Sequence, residues 1–130
     1  MEEITEPRGR GGPLGWLRSG KEASEGATPP INSPAKTPTG YDLVILGTPV
    51  WAAKMSSPMR AYLTQMKGKL PRVAFFCTFG NGPAGGVFAD MEVFAGRPAA
   101  TMTLTAKEVA VGEHREKMKI FSDAVRAGAA

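Results

Sequence analysis

From Tyr41 onward the chain alternates between continuous apolar runs and segments whose apolar residues recur every three or four positions. "YDLVILGT", Tyr41 to Thr48, is nearly all apolar and rich in β-branched residues, the pattern of a strand covered on both faces. "SSPMRAYLTQMKGK" then gives helix signals in order: Ser57 as N-cap, Pro58 at the first helical position, Met59, Tyr62, Leu63 and Met66 as one apolar stripe, and Gly68 as a stop. "RVAFFCTF", Arg72 to Phe79, predicts a second strand. "GGVFADMEVFAG" follows as a helix with Val87, Phe88, Met91 and Phe94 on one side, closed by Gly96 and Pro98. "AATMTLT", Ala99 to Thr105, is a third and weaker strand. "GEHREKMKIFSDAVRAG" predicts a last amphipathic helix with Met118, Phe121 and Val125 turned inward.

Strand and helix thus alternate three times between residues 41 and 128, the signature of an α/β domain with a parallel sheet and right-handed crossovers. The strand at 41–48 reads as a central one and needs a neighbour on each side. Nothing between Pro7 and Gly40 reads as that neighbour. "RGRGGPLGWLRSGKEASEGATPPINSPAKTPTG" is dominated by turn-formers. It predicts a long irregular connection whose one apolar knot, Leu14, Trp16 and Leu17, docks on the body, or else a disordered tail.

Length and charge narrow the function classes. One hundred and thirty residues fit a single domain. The net charge of +4 is spread out, and the densest basic cluster, Lys67, Lys69 and Arg72, brackets a turn. No basic face with interleaved aromatics suggests nucleic acid as a partner. Cys77 is the only cysteine, which excludes an internal disulfide or a multi-thiolate metal site, and its place in "RVAFFCTF" predicts a buried side chain. His114, the only histidine, lies on a charged helix start, away from any nucleophile pattern. No stretch reaches the ~20 apolar residues of a membrane span, and "MEEITEPRGR" contains no apolar leader core. The expected location is cytoplasmic.

Ligands of open parallel sheets bind outside the carboxyl ends of the strands. Two loops leaving such ends have unusual composition: "TPVWAAKMS", Thr48 to Ser56, and "TFGNGPAGG", Thr78 to Gly86. Adjacent parallel strands place them side by side. Trp51 and Phe79 then offer aromatic plates, while Gly80 and Gly82 allow close backbone approach and Asn81 tolerates left-handed conformations. That combination suits a flat apolar ring with a polar edge. The plainer account is that Trp51 packs over the helix from Ser57 and the glycines only make a turn. Gly80, Gly82 and Gly85 also match G-x-G-x-x-G. However, Pro83 removes an N–H from that loop, and no acidic residue ends the next strand, as a dinucleotide site would require.

"YDLVILGTPVWAAKMSSPMRAYL" resembles the strand and first ring-binding loop of the flavodoxin family, where a Thr-Pro-Val-Trp step is typical. "KGKLPRVAFFCTFGNG" resembles the next strand and second ring-binding loop, and "RGRGGPLGWLRSGKEA" is similar to a long connection in one branch of that family. The resemblance implies a flavodoxin-like sandwich with a five-stranded parallel sheet in the order 2-1-3-4-5 and FMN as cofactor. It implies that Thr48, Pro49, Val50, Trp51 and Ala52 flank one side of the isoalloxazine, and that Thr78, Phe79, Gly80, Asn81 and Gly82 contact its far face and pyrimidine edge. The redox chemistry would then belong to the flavin, with no side chain acting as acid or base.

The family also has an opening apolar strand and a Ser/Thr-Gly-rich phosphate loop, neither of which matches any part of these residues. "EEIT" aligns best with the family's second strand, so the expectation is a domain truncated at its N-terminus, whose first strand would lie between "EEIT" and "YDLVIL". Three functional expectations follow. The leading one is FMN-dependent electron transfer or reduction, with a redox protein or a small-molecule acceptor as partner. As written, the chain is expected to bind FMN weakly or not at all. The alternative is an interaction module of the same fold without cofactor, stable alone or as an edge-paired oligomer.

Overall fold

The computed structural model describes residues 1–80 and 84–129. The chain forms helix α1 (Gly12–Glu25), strand β1 (Leu43–Trp51), the two-residue strand β2 (Lys54–Met55) and helix α2 (Ser57–Met66). Strand β3 (Arg72–Phe79), helix α3 (Val87–Ala95), strand β4 (Thr101–Thr105) and helices α4 (Ala106–Val111) and α5 (His114–Ala129) follow. The strands and helices expected after Tyr41 are all present. No helix among the described residues is long and apolar enough to cross a membrane.

Pairing runs outward from β1. It lies parallel to β3 from Leu43↔Arg72 to Pro49↔Thr78, and β3 lies parallel to β4 from Phe75↔Thr101 to Phe79↔Thr105. The sheet order is β2-β1-β3-β4, which keeps the order expected for the three parallel strands. Among the described residues, the other edge of β1 is paired only at its tip, where β2 folds back antiparallel at Val50↔Met55 and Trp51↔Lys54. "EEIT" forms no strand. It runs beside residues 32–36 instead, where the Asn32 N–H donates to the Thr5 carbonyl (2.8 Å) and the Glu2 carboxylate accepts from the N–H groups of Ala35 (2.6 Å) and Lys36 (3.1 Å).

Alternation along the strands sends Leu46 and Thr48 of β1 and Val73, Phe75 and Cys77 of β3 to one face, all buried. Met59, Tyr62 and Leu63 of α2 and Val87 and Met91 of α3 close over them as the main core. Full burial of a side chain such as Phe75 or Leu63 contributes roughly 2–3 kcal/mol relative to exposure. On the opposite face Ala74 and Leu104 are buried, as is Phe121 of α5, which lies against β4. Met118 stands half exposed rather than inward, because α5 covers β4 and little of β1.

Three local readings change. Ser56, not Ser57, caps α2, its hydroxyl accepting from the Met59 N–H (3.3 Å), and Ser57 becomes the first helical residue. Helix α4 was not expected. It starts at a capping box, in which Thr105 and Glu108 each accept from the other's backbone N–H. The connection at 7–40 contains α1, which ends at Gly26 in the left-handed conformation. Leu14, Trp16 and Leu17 point outward from α1, with Trp16 75% exposed, and Gly15, Ser19 and Ala23 face the body instead.

Gly47 shows how tightly β1 and β3 are matched. A Cβ there would sit 2.2 Å from the ring tip of Phe76, its register partner on β3. Gly47→Ala is expected to lower stability by about 1–3 kcal/mol by forcing that ring aside. The cost should fall well below this in a Phe76→Ala background. Urea denaturation of the four proteins of this double-mutant cycle measures both, and additive effects would show that the ring is not the obstacle.

Candidate functional site

The carboxyl ends of β1, β3 and β4 converge because the three strands are parallel and in register. Their last residues, Trp51, Phe79 and Thr105, border a pocket of about 360 Å³ together with Pro49, Val50, Thr78, Gly80, Leu104, Ala106 and Val109. The pocket thus brings together Pro49, Val50, Trp51, Thr78, Phe79 and Gly80 from the expected ring-binding residues. Two others lie elsewhere. Thr48 is buried, its hydroxyl donating to the Pro49 carbonyl (2.8 Å) and accepting from the Ser56 N–H (3.0 Å), so it closes the loop and does not line this pocket. Ala52 sits at the exposed tip of the β1–β2 turn. Asn81 and Gly82 lie outside the described residues.

The two loops meet, as adjacent parallel strands require. Ala52 and Ala53 both have positive φ (50° and 62°), the geometry of a two-residue type I′ turn built without glycine. This turn carries Ala53 against Gly85, where an added Cβ would stand 2.7 Å from the Ala53 Cβ and 2.8 Å from its carbonyl oxygen. Gly85, at φ +65°, is therefore the position where the second loop can touch the first.

A second, larger cavity lies on the open side of β1. This groove of about 590 Å³ runs between residues 1–6 and the unpaired edge from Leu43 to Gly47, and reaches Trp51, Ser56 and Met59. Trp51 borders both cavities. Over its indole lies the guanidinium of Arg10, with Cζ 5.0 Å from the ring centroid. Arg10 is tied to Glu6, Glu22, Ser19 and Ser57, and Arg18 pairs with Glu22 at 3.0 Å. Burial alone would raise the Glu22 pKa, but hydrogen bonds from Arg10, Ser57 and Arg18 outweigh it and hold the carboxyl below its ordinary 4.5.

Sequence reasoning missed two parts of this arrangement. Leu104, Thr105, Ala106 and Val109 obey the same strand-end rule as the two loops, and the T-x-x-E box at Thr105–Glu108 was the available signal. Arg10 carried little signal, because apart from Glu6, four positions away, its hydrogen-bond partners lie 9 to 47 positions away. The glycine pattern 80/82/85 leads to α3, whose first turn holds Asp90; that carboxylate accepts from the Met55 N–H and pairs with Arg60. A negative group already occupies that helix start, which disfavours a phosphate there. Cys77 is fully buried and its thiol pKa is raised by burial, as suits a packing residue.

No family model and no curated protein matches the chain. A solved structure does: a flavoprotein in complex with FMN from Lactobacillus acidophilus NCFM, 20% identical, with 85% of this chain and 76% of that one covered and a TM-score of 0.60. The fold is therefore the flavodoxin-like α/β sandwich.

The Glu22 environment has a pH consequence. A carboxyl whose folded pKa is depressed contributes stability that is complete above its unfolded pKa and disappears as pH falls through the folded value. Denaturation midpoints should thus fall on acidification below about pH 4.5. Glu22→Gln should flatten part of that fall and cost about 1 kcal/mol at neutral pH, given that the cluster is partly solvated. Parallel acid dependence in both proteins would show that Glu22 contributes nothing to it.

Proposed function

We propose that this protein is a flavodoxin-like flavin-binding protein that seats the ring of FMN in the pocket between Trp51 and Phe79. The observation that carries this reading is the convergence of two aromatic strand ends on one pocket at the carboxyl edge of three parallel strands. The fold it shares with a flavoprotein crystallised with FMN supports it. Trp51 supplies stacking surface, Phe79, partly buried against the core, adds an apolar wall, Gly80 admits the ring close to the main chain, and the backbone around Val50 and Thr78 provides polar edges. Thr48, Ala52, Asn81 and Gly82 belong to the site by resemblance, the first two through the loop shape they set.

The phosphate end has a poorer fit. Carboxylates stand at three helix starts: Glu22 against Ser57 at α2, Asp90 at α3 and Glu108 at α4. Each disfavours an added anion. Ring contacts therefore provide most of the affinity, and binding is weak. When bound, the flavin supplies the redox chemistry; the chain's own residues hold the ring, shield its faces and tune the surrounding charge. The role is electron transfer to a redox protein or reduction of a small acceptor.

Flavin-fluorescence titration tests this reading. Riboflavin and FMN should bind with affinities within about threefold of each other, less than 1 kcal/mol apart. Trp51→Ala should weaken both at least about tenfold, near 1.4 kcal/mol. Absence of Trp51-dependent binding of either flavin at millimolar concentration would overturn it. Tight stoichiometric binding of FMN but not riboflavin would refute the account of the phosphate end.

The open edge of β1 favours a second reading, an interaction module without cofactor that pairs this edge with that of a second copy. Unpaired strand edges are templates for such pairing, and Ile45, at the middle of this one, is 49% exposed. Sedimentation velocity should then show a concentration-dependent dimer, and Ile45→Lys should abolish it. A monomer at all concentrations rules this reading out.

A further inference from the structure

Trp51 separates the two cavities, while Arg10 borders only the groove. Everything around Arg10 limits its movement. Its Nε and Nη2 bind both oxygens of Glu6; Nη1 donates to the Ser19 hydroxyl (3.1 Å); Nη2 also reaches Glu22 and the Ser57 hydroxyl (3.0 Å). The backbone is held as well, for a Cβ on Gly15 would stand 2.0 Å from the Arg10 carbonyl oxygen. The N-terminal segment, α1 and α2 therefore all fix one guanidinium, and that guanidinium lies on the indole.

The charges in the cluster cancel, Arg10 and Arg18 against Glu6 and Glu22. Balanced, partly buried ion clusters contribute little net stability, because desolvation offsets the attraction. What such a cluster does supply is a defined geometry. Trp51 needs one: it ends β1 at a turn built from two alanines with positive φ, and β2, its only other tether, has two residues. A guanidinium tied to several partners and lying over the indole restrains it in a way that a lysine ammonium would not.

We propose that Arg10 is a positioning residue for Trp51: lying over the indole on the groove side, it holds the other face open to the pocket shared with Phe79 and thereby sets the affinity of the ring site. The ligand in this inference rests on the flavin reading; the orientation of Trp51 does not.

The test uses the full chain with Trp16→Phe, because Trp16 is the other tryptophan and is exposed; emission then reports Trp51 alone. Arg10→Met should increase acrylamide quenching of Trp51 and weaken riboflavin binding about three- to tenfold, the range of a cation–π contact. Arg10→Lys should recover less than half of either effect. Arg18→Met removes one charge from the same cluster without touching the indole, and should lower the urea midpoint while leaving Trp51 quenching unchanged. If Arg18→Met moves Trp51 as far as Arg10→Met does, the effect is general loosening and the proposal fails. Riboflavin binding that survives Arg10→Met undiminished also overturns it. Should riboflavin fail to bind the parent while Arg10→Met still shifts Trp51 quenching, the flavin reading falls and the orienting role of Arg10 stands.

Discussion

The parallel pairing of β1 with β3 is the interaction on which the rest of the molecule depends. Its register, Leu43↔Arg72 through Pro49↔Thr78, is the longest run of paired residues in the sheet. It decides which residues enter the core, since a slip of one position would turn Leu46 out and Ile45 in on β1, or Phe75 out and Phe76 in on β3. It also decides where both loops leave the sheet. Because β1 and β3 end within one residue step of each other, Trp51 and Phe79 reach the same pocket, and Ala53 touches Gly85. The site is a product of sheet register more than of any single residue.

That pairing is one-sided. β1 has a full neighbour in β3 and only a two-residue neighbour, β2, at its tip on the other edge. The segment at residues 1–6 lies across the groove but hydrogen-bonds to residues 32–36. The groove is therefore bounded by main chain on both sides. Trp51 and Arg10 both border this groove. The ring site and the open edge are thus two consequences of the same geometry, and occupation of the groove would alter the surroundings of Arg10.

The sequence made the sheet and its covering helices legible because their signals are apolar and periodic. Met59, Tyr62 and Leu63 are buried in α2, and Val87 and Met91 in α3, as the stripes predicted. α1 was illegible for the opposite reason. Its inward face is Gly15, Ser19 and Ala23, a stripe of small residues, while its largest apolar residues face outward. Such a helix is amphipathic, but its apolar side is not the side that packs. Similarly, "EEIT" has the composition of a short strand, but a strand exists only where a partner edge accepts it. The strand ends made Trp51, Phe79 and Gly80 readable as neighbours at one pocket; that the Thr48 hydroxyl is used within the loop is something one-dimensional spacing cannot reveal.

The chain contains two kinds of restraint, and they act at different places. The apolar core between the sheet and α2 and α3 fixes the strands through many weak, non-directional contacts. The cluster around Arg10 fixes one side chain through a few directional ones, at little net gain in stability. A pocket bounded by strand ends can be rigid at its floor and still have a mobile wall, because the last residues of β1 lie beyond the packed part of the sheet. Here the wall is Trp51, and the segment that looked least structured in sequence is what holds it. A connection rich in Gly and Pro can perform that task because Gly15 lets the backbones touch and Gly26 ends α1 after Glu22 and Ser19 are in place. The segment that carries α1 therefore reaches the candidate site through Arg10, and its glycines matter for the contacts they permit as much as for the turns they make.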